Sequence, residues 1–217
     1  MNRNDLKKRR FAETVENGVV KIAKLFVRST AAGAAIGLGG YAALLADGGL
    51  VGATLFSAGL IIVLACGLPL YTGRVGRASS WNLKEPVVLA GNFAGAAFVA
   101  ELCRSAATER ALFDGCFDSR TAIGAGPFFV ESILCGALVW AAVESYRETK
   151  SFVPVVFCVA TFVFCGFEHC VADAFYLSID NPFATFANDG KYLALAVVGN
   201  ATGAVVMSVW TGRFFER

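Results

Sequence analysis

Apolar and polar positions along the chain segregate into long runs rather than alternating. Six apolar blocks lie at about 29–46, 50–72, 86–106, 127–146, 152–178 and 190–211. Each is near the roughly twenty residues that carry an α-helix across a ~30 Å hydrocarbon core. Lipid offers no partner to a backbone amide, so such runs are predicted to be helices, whose hydrogen bonds are internal. The dyad alternation of a membrane barrel strand is absent. The pattern predicts an all-α membrane protein with a six-helix domain over residues 29–212, a short tail at 213–217 and a basic segment at 1–28.

The basic segment holds eight Lys/Arg against three acids. It has no apolar core, which separates it from a cleaved signal peptide. Leu6, Phe11, Val15, Val19, Ile22 and Phe26 recur at helical spacing. They predict an amphipathic helix over 5–27 lying on the membrane surface. A disordered basic tail is the other reading of the same residues.

Composition agrees with the blocks. Of 217 residues, 56% are hydrophobic and 17% charged, with a mean hydropathy of +0.60, more apolar surface than a soluble domain of this size hides. A cytoplasmic N-terminus puts fifteen Lys/Arg inside and leaves only Arg104, Arg110, Arg120 and Lys191 outside. The positive-inside rule therefore predicts a multi-pass protein of the plasma (inner) membrane with both termini cytoplasmic. Topology accounts for the net charge of +2, so charge gives no support to a nucleic-acid partner.

The seven cysteines sit mostly inside apolar blocks, where they behave as small hydrophobes. Cys103 and Cys116 flank one outer loop, and the sequence leaves open whether they pair. No Cys/His spacing suggests a metal, and no cofactor is expected.

The third block contains Gly91-Asn92 and the sixth Gly199-Asn200, each reading Gly-Asn-x-x-Gly-Ala, 108 positions apart. The second block ends in Gly67-Leu68-Pro69-Leu70-Tyr71-Thr72-Gly73, and the fifth is interrupted from Gly166, 99 positions later. Two three-helix halves, each with an irregular middle helix, are the signature of an inverted-repeat transporter. Pro69 removes an amide and crowds the preceding turn, so it predicts a break in helix 2. Irregular backbone at membrane depth lines a cavity or is buried in protein.

Polar groups fall at the second interruption. His169, the one histidine of the chain, lies between Glu168 and Cys170 in the run Gly166 to Phe175, with Asp173 a helical turn further on. Ionisable groups at that depth face a pore, a cavity or a partner. Asp173 either faces His169 or caps the second half-helix. Glu168 is expected to point away from His169, toward a neighbouring helix or subunit.

These residues resemble the formate/nitrite transporter family, which includes hydrosulfide members. Gly166 to Phe175 is similar to the family pattern Gly-Phe-Glu-His-Ser-x-Ala-Asn-Met-Phe, and Gly67 to Gly73 is similar in part to Gly-x-Glu-Leu-Phe-Thr-Gly. The Gly-Asn-x-x-Gly stretches and Ile133-Leu134-Cys135 with Leu138-Val139 also fit. The resemblance covers essentially the whole chain. It implies an aquaporin-like protomer with broken helices 2 and 5, assembled as a homopentamer in the lipid bilayer with one pore per protomer.

By the same resemblance, His169 is the central pore histidine, with Thr72 and Asp173 beside it. Leu70 and Tyr71 narrow the cytoplasmic side, and Phe56, Leu60 and Phe162 form the outer constriction. Arg120 stands where the family carries a vestibule lysine, and Asn92 and Asn200 adjoin the pore. The chain departs from the family at Pro69 for Glu, Arg74 for Asn, Gly136 for Asn and Asp173 for Asn. Its stretch from Thr72 to Asn92 is also shorter by about two helical turns.

The implied function is channel-like transport of a small monovalent weak-acid anion (formate, nitrite or hydrosulfide), with a proton passed from His169. An anion crossing an apolar slit meets a desolvation penalty of several kcal/mol; Arg120 would concentrate anions at the mouth. An aquaporin-like channel for a neutral solute is the alternative, although Asn181-Pro182-Phe183 does not supply its paired Asn-Pro-Ala motifs. A non-conducting membrane subunit is a further reading. A membrane enzyme would need a nucleophile or metal set that is missing beside His169.

Overall fold

A computed structural model describes residues 3–46, 48–82, 84–106, 113–180 and 190–215, with side chains from Glu16 onward except residue 17. Asn181-Pro182-Phe183 and Arg110 lie outside the described residues. Those described contain helices and turns and no strand. α1 spans Arg3–Leu45, α2 Gly49–Ala65, α3 Glu85–Ala106, α4 Asp118–Thr121 and α5 Ala125–Thr149. α6 spans Val153–Phe164, α7 Cys170–Asp180 and α8 Gly190–Trp210, and a 3₁₀ turn covers Ala78–Ser80.

α3, α5 and α8 are each long and apolar enough to cross a membrane. α2 and α6 are apolar but shorter. α1 has no break at residue 28: the segment read as a separate surface helix continues into the first apolar block. At 1.5 Å per residue its 43 residues extend about 64 Å, twice the hydrocarbon thickness.

α2 and α6 end in the same way, and not at the proline. α2 ends with Gly67 at φ 59°, α6 with Gly166 at φ 75°. The Gly67 amide donates to Leu64 O (3.2 Å) and the Leu68 amide to Val63 O (2.9 Å). Gly166 and Phe167 repeat this with Val163 O (3.1 Å) and Phe162 O (2.9 Å). This is a Schellman cap, which needs a left-handed residue after the last helical turn, and glycine supplies it without a Cβ penalty. Pro69 lies two residues beyond the cap. Its counterpart position, Glu168, is not proline at all.

The broadest helix contacts are α1 on α3 and α5 on α8. They are close because glycine faces backbone. A Cβ on Gly33 would lie 1.8 Å from Asn92 O, and one on Gly136 2.1 Å from Asn200 O. Gly136, read as a pore departure, is thus a packing residue between α5 and α8. Between these pairs lie α2, α6 and α7: α2 packs on α1 and α6, and α7 on α3.

Candidate functional site

Residues 66–69 and 165–169 leave their helices with backbone groups to satisfy. One asparagine serves each stretch. Asn92 of α3 donates to Ser29 O (2.8 Å) and Pro69 O (3.0 Å) and accepts from the Tyr71 amide (2.9 Å). Asn200 of α8 donates to Ser132 O and Glu168 O (2.8 Å each) and accepts from the Cys170 amide (2.9 Å). Both side chains are fully buried. The two asparagines adjoin the site as expected, but their role in it is to fasten the non-helical stretches to long helices.

The second stretch delivers His169 to the start of α7. Its carbonyl accepts the Asp173 amide (2.8 Å) and its Nδ1 accepts the Ala172 amide (3.2 Å). His169 is therefore the N-cap of α7, satisfying an amide the helix leaves unpaired. With Nδ1 occupied as an acceptor, the proton of the neutral ring sits on Nε2, which donates to Thr72 Oγ1 at 3.0 Å. Thr72 and His169, 97 positions apart, meet as expected. Capping by Asp173 does not occur: neither of its carboxyl oxygens has a hydrogen-bond partner.

The imidazole stacks on Phe162 (centroids 5.9 Å, planes 19° apart), and Phe162 meets the edge of Phe56 at 5.7 Å. Phe56, Phe162, His169, Asp173, Arg120 and Tyr176 line a cavity of about 10 Å³, room for about one water. Glu168 turns to a neighbouring helix, α4. It is 1% exposed and accepts from Arg120 Nη1 at 3.0 Å. The guanidinium also lies over the Tyr176 ring, 4.2 Å from its centroid. Arg120 is consequently an ion-paired group and not a free positive charge.

Two larger pockets adjoin this region, one sharing Arg120 and Tyr176 with the cavity and the other beginning at Leu60, one turn along α2 from Phe56. The first, about 440 Å³, is lined by Cys116, Ser119, Arg120, Glu131, Gly166 and Glu168 among others. The second, also about 440 Å³, is lined by Arg28, Leu60, Leu70, Arg74, Arg147 and Tyr146 among others. Leu60, one turn beyond Phe56 on the same buried face of α2, lines this second pocket. Leu70 lines it as well. Tyr71 does not: its ring faces a separate apolar pocket of about 700 Å³ with Trp81, Glu85 and Leu89.

Sequence reasoning missed the second pocket's three arginines. Arg28 Nη2 donates to Gly67 O (2.7 Å) and Arg147 Nη2 to Gly73 O (3.3 Å), while Arg74 pairs with Glu85 (2.7 Å). Among the described residues the lining of this pocket includes no carboxylate. The signal was present, since all three were counted as topology markers, but linear charge counting does not say which basic residues converge. Cys103 and Cys116 are both free thiols; Cys116 Sγ donates toward Tyr176 O (3.5 Å). Among the described residues no cluster of His, Cys, Asp or Glu is suited to a metal.

The formate/nitrite transporter family model matches residues 7–212. The chain belongs to the formate/nitrite transporter family. It is thereby a membrane transporter and not an enzyme. Among solved structures, this family member is similar to a pentameric formate channel with formate bound, at 23% identity and a TM-score of 0.71 over 88% of this chain and 95% of that one. It is similar as well to an FNT family ion channel, at 22% identity and a TM-score of 0.77 over 93% and 99%. Among curated proteins none matches.

Proposed function

We propose that this chain is a channel-like transporter of small monovalent weak-acid anions: formate, nitrite or hydrosulfide. The observation that carries it is a one-water cavity walled by Phe56, Phe162 and His169, with one pocket sharing its Arg120 and Tyr176 and another beginning one turn along α2 from Phe56. Such a passage admits one small, dehydrated species at a time. An anion stripped of water there needs a donor, and the Nε2–H of His169 is the donor aimed away from its own helix. A proton passed to the anion would let a neutral acid cross the aromatic walls. Formic, nitrous and hydrosulfuric acids can form in this way, whereas chloride cannot.

The fold proposed is two inverted three-helix repeats, aquaporin-like, the first built on α1, α2 and α3 and the second on α5, α6 with α7, and α8. Paired Schellman caps, paired asparagine latches and paired glycine contacts support this reading. The charge bias supports cytoplasmic termini in the plasma membrane, which sets the pocket of Arg28, Arg74 and Arg147 on the cytoplasmic side. A homopentamer is proposed from the formate channel's assembly.

The test is stopped-flow uptake of formate, nitrite, hydrosulfide and chloride into proteoliposomes at pH 5.5 and 7.5, with His169→Ala in parallel. Saturable or pH-sensitive flux of a weak-acid anion, lost or made unselective in the variant, is expected. Folded protein that moves none of them would sink the reading.

A further inference from the structure

Asp173 is 0% exposed, lines the central cavity, and has no hydrogen-bond donor on either oxygen. The Glu168 carboxyl, 1% exposed, is its acidic neighbour: Arg120, which pairs with Glu168, lines the same cavity as Asp173. Two ionised carboxylates cannot satisfy each other, because both are acceptors only. From the surrounding elements Asp173 is faced by Arg120 of α4, Cys135 of α5, and Cys170 and Tyr176 of α7. Arg120 is the one fixed positive charge in this set, and its Nη1 is already given to Glu168. His169 cannot supply a second, since its Nδ1 is committed to an amide. Two buried negative charges against one guanidinium leave an uncompensated charge in a low-dielectric site. A proton placed between the carboxyls removes that excess and turns an acceptor–acceptor contact into a hydrogen bond, as when two acids share one site.

We propose that Glu168 and Asp173 form a single proton-binding site, occupied at neutral pH, which supplies the proton that accompanies the anion. The second half rests on the transport reading above. The transfer balances: the carboxyl O–H bond breaks as the O–H bond of formic or nitrous acid, or the S–H bond of hydrogen sulfide, forms in the cavity that Asp173 lines. The carboxylate pair left behind carries one excess charge and takes its next proton from water in the pocket lined by Arg120 and Glu168. The family's asparagine at this position has no acid to share, so the site belongs to the Glu168 and Asp173 combination.

Infrared difference spectra of the native protein in liposomes at neutral pH test the first half. A protonated-carboxyl C=O band is expected, lost in Asp173→Asn and in Glu168→Gln. A native spectrum without the band, or a band unchanged in Asp173→Asn, overturns the site. A pH-sensitive dye inside the vesicles tests the second half as protons moved per anion, which is independent of how fast either variant conducts. The ratio is expected to fall toward zero in Asp173→Asn, and an unchanged ratio overturns delivery. If the native protein moves no anion while the band is present and lost in the variants, the transport reading fails and the proton site stands.

Discussion

Asn92 and Asn200, 108 positions apart, hold the same three kinds of partner: a carbonyl on a neighbouring long helix, a carbonyl in a non-helical stretch, and an amide just beyond it. Ser29 and Ser132 are the helix partners, Pro69 and Glu168 the stretch partners, Tyr71 and Cys170 the amides. The side chain of each partner is irrelevant to the bond, which is why two chemically different pairs, Pro69 with Glu168 and Tyr71 with Cys170, occupy equivalent places. What the two sites share is backbone geometry and the amide that reads it.

Asn200→Leu removes a near-isosteric side chain's three bonds and orphans the Cys170 amide and the Glu168 carbonyl. Each orphaned buried group costs about 1–3 kcal/mol. Thermal unfolding in detergent, followed by tryptophan fluorescence, is expected to shift downward by several degrees. Asn92→Leu should show a shift of similar size; a latch that matters in one half only would break the equivalence.

Gly136→Ala is expected to be severe although it adds one methyl group. The new Cβ would stand 2.1 Å from Asn200 O, a backbone atom that moves only if α5 and α8 separate. Overpacking of this kind costs about 1–3 kcal/mol. Gly126→Ala on the same helix meets nothing within 4 Å and serves as the control. Size-exclusion profiles and melting temperatures of the two variants should differ clearly, and matching profiles would argue against the packing role.

Arg147→Gln should lower anion flux at low ionic strength by a few-fold, since its charge acts on ions approaching the carboxylate-free pocket. The deficit should shrink as salt rises, because at 1 M the screening length is about 3 Å. A deficit that is independent of salt would assign Arg147 a purely structural role through its bonds to Gly73 O and Glu144.

Much of this was legible in the sequence. Blocks 86–106 and 190–211 fall within a residue of α3 and α8. The motif at Gly166 to Phe175 named His169, and Thr72 does meet it. What was not legible depends on direction. A break signalled by Pro69 begins at Gly67, because the cap ends the helix before the proline is reached. Tyr71 and Leu70 are adjacent, and in a non-helical stretch adjacency fixes neither side: one faces the arginine pocket and the other turns away. Arg120 and Glu168 are 48 positions apart, and no local pattern announces their pairing.

The latches also bear on how the centre yields. Each non-helical stretch is riveted to a long helix that is itself pressed backbone to backbone against another. To widen the gap at Phe56 and Phe162 by moving either stretch, the frame would have to come with it. In the transport reading proposed above, the centre is then a sieve of fixed bore rather than a moving gate.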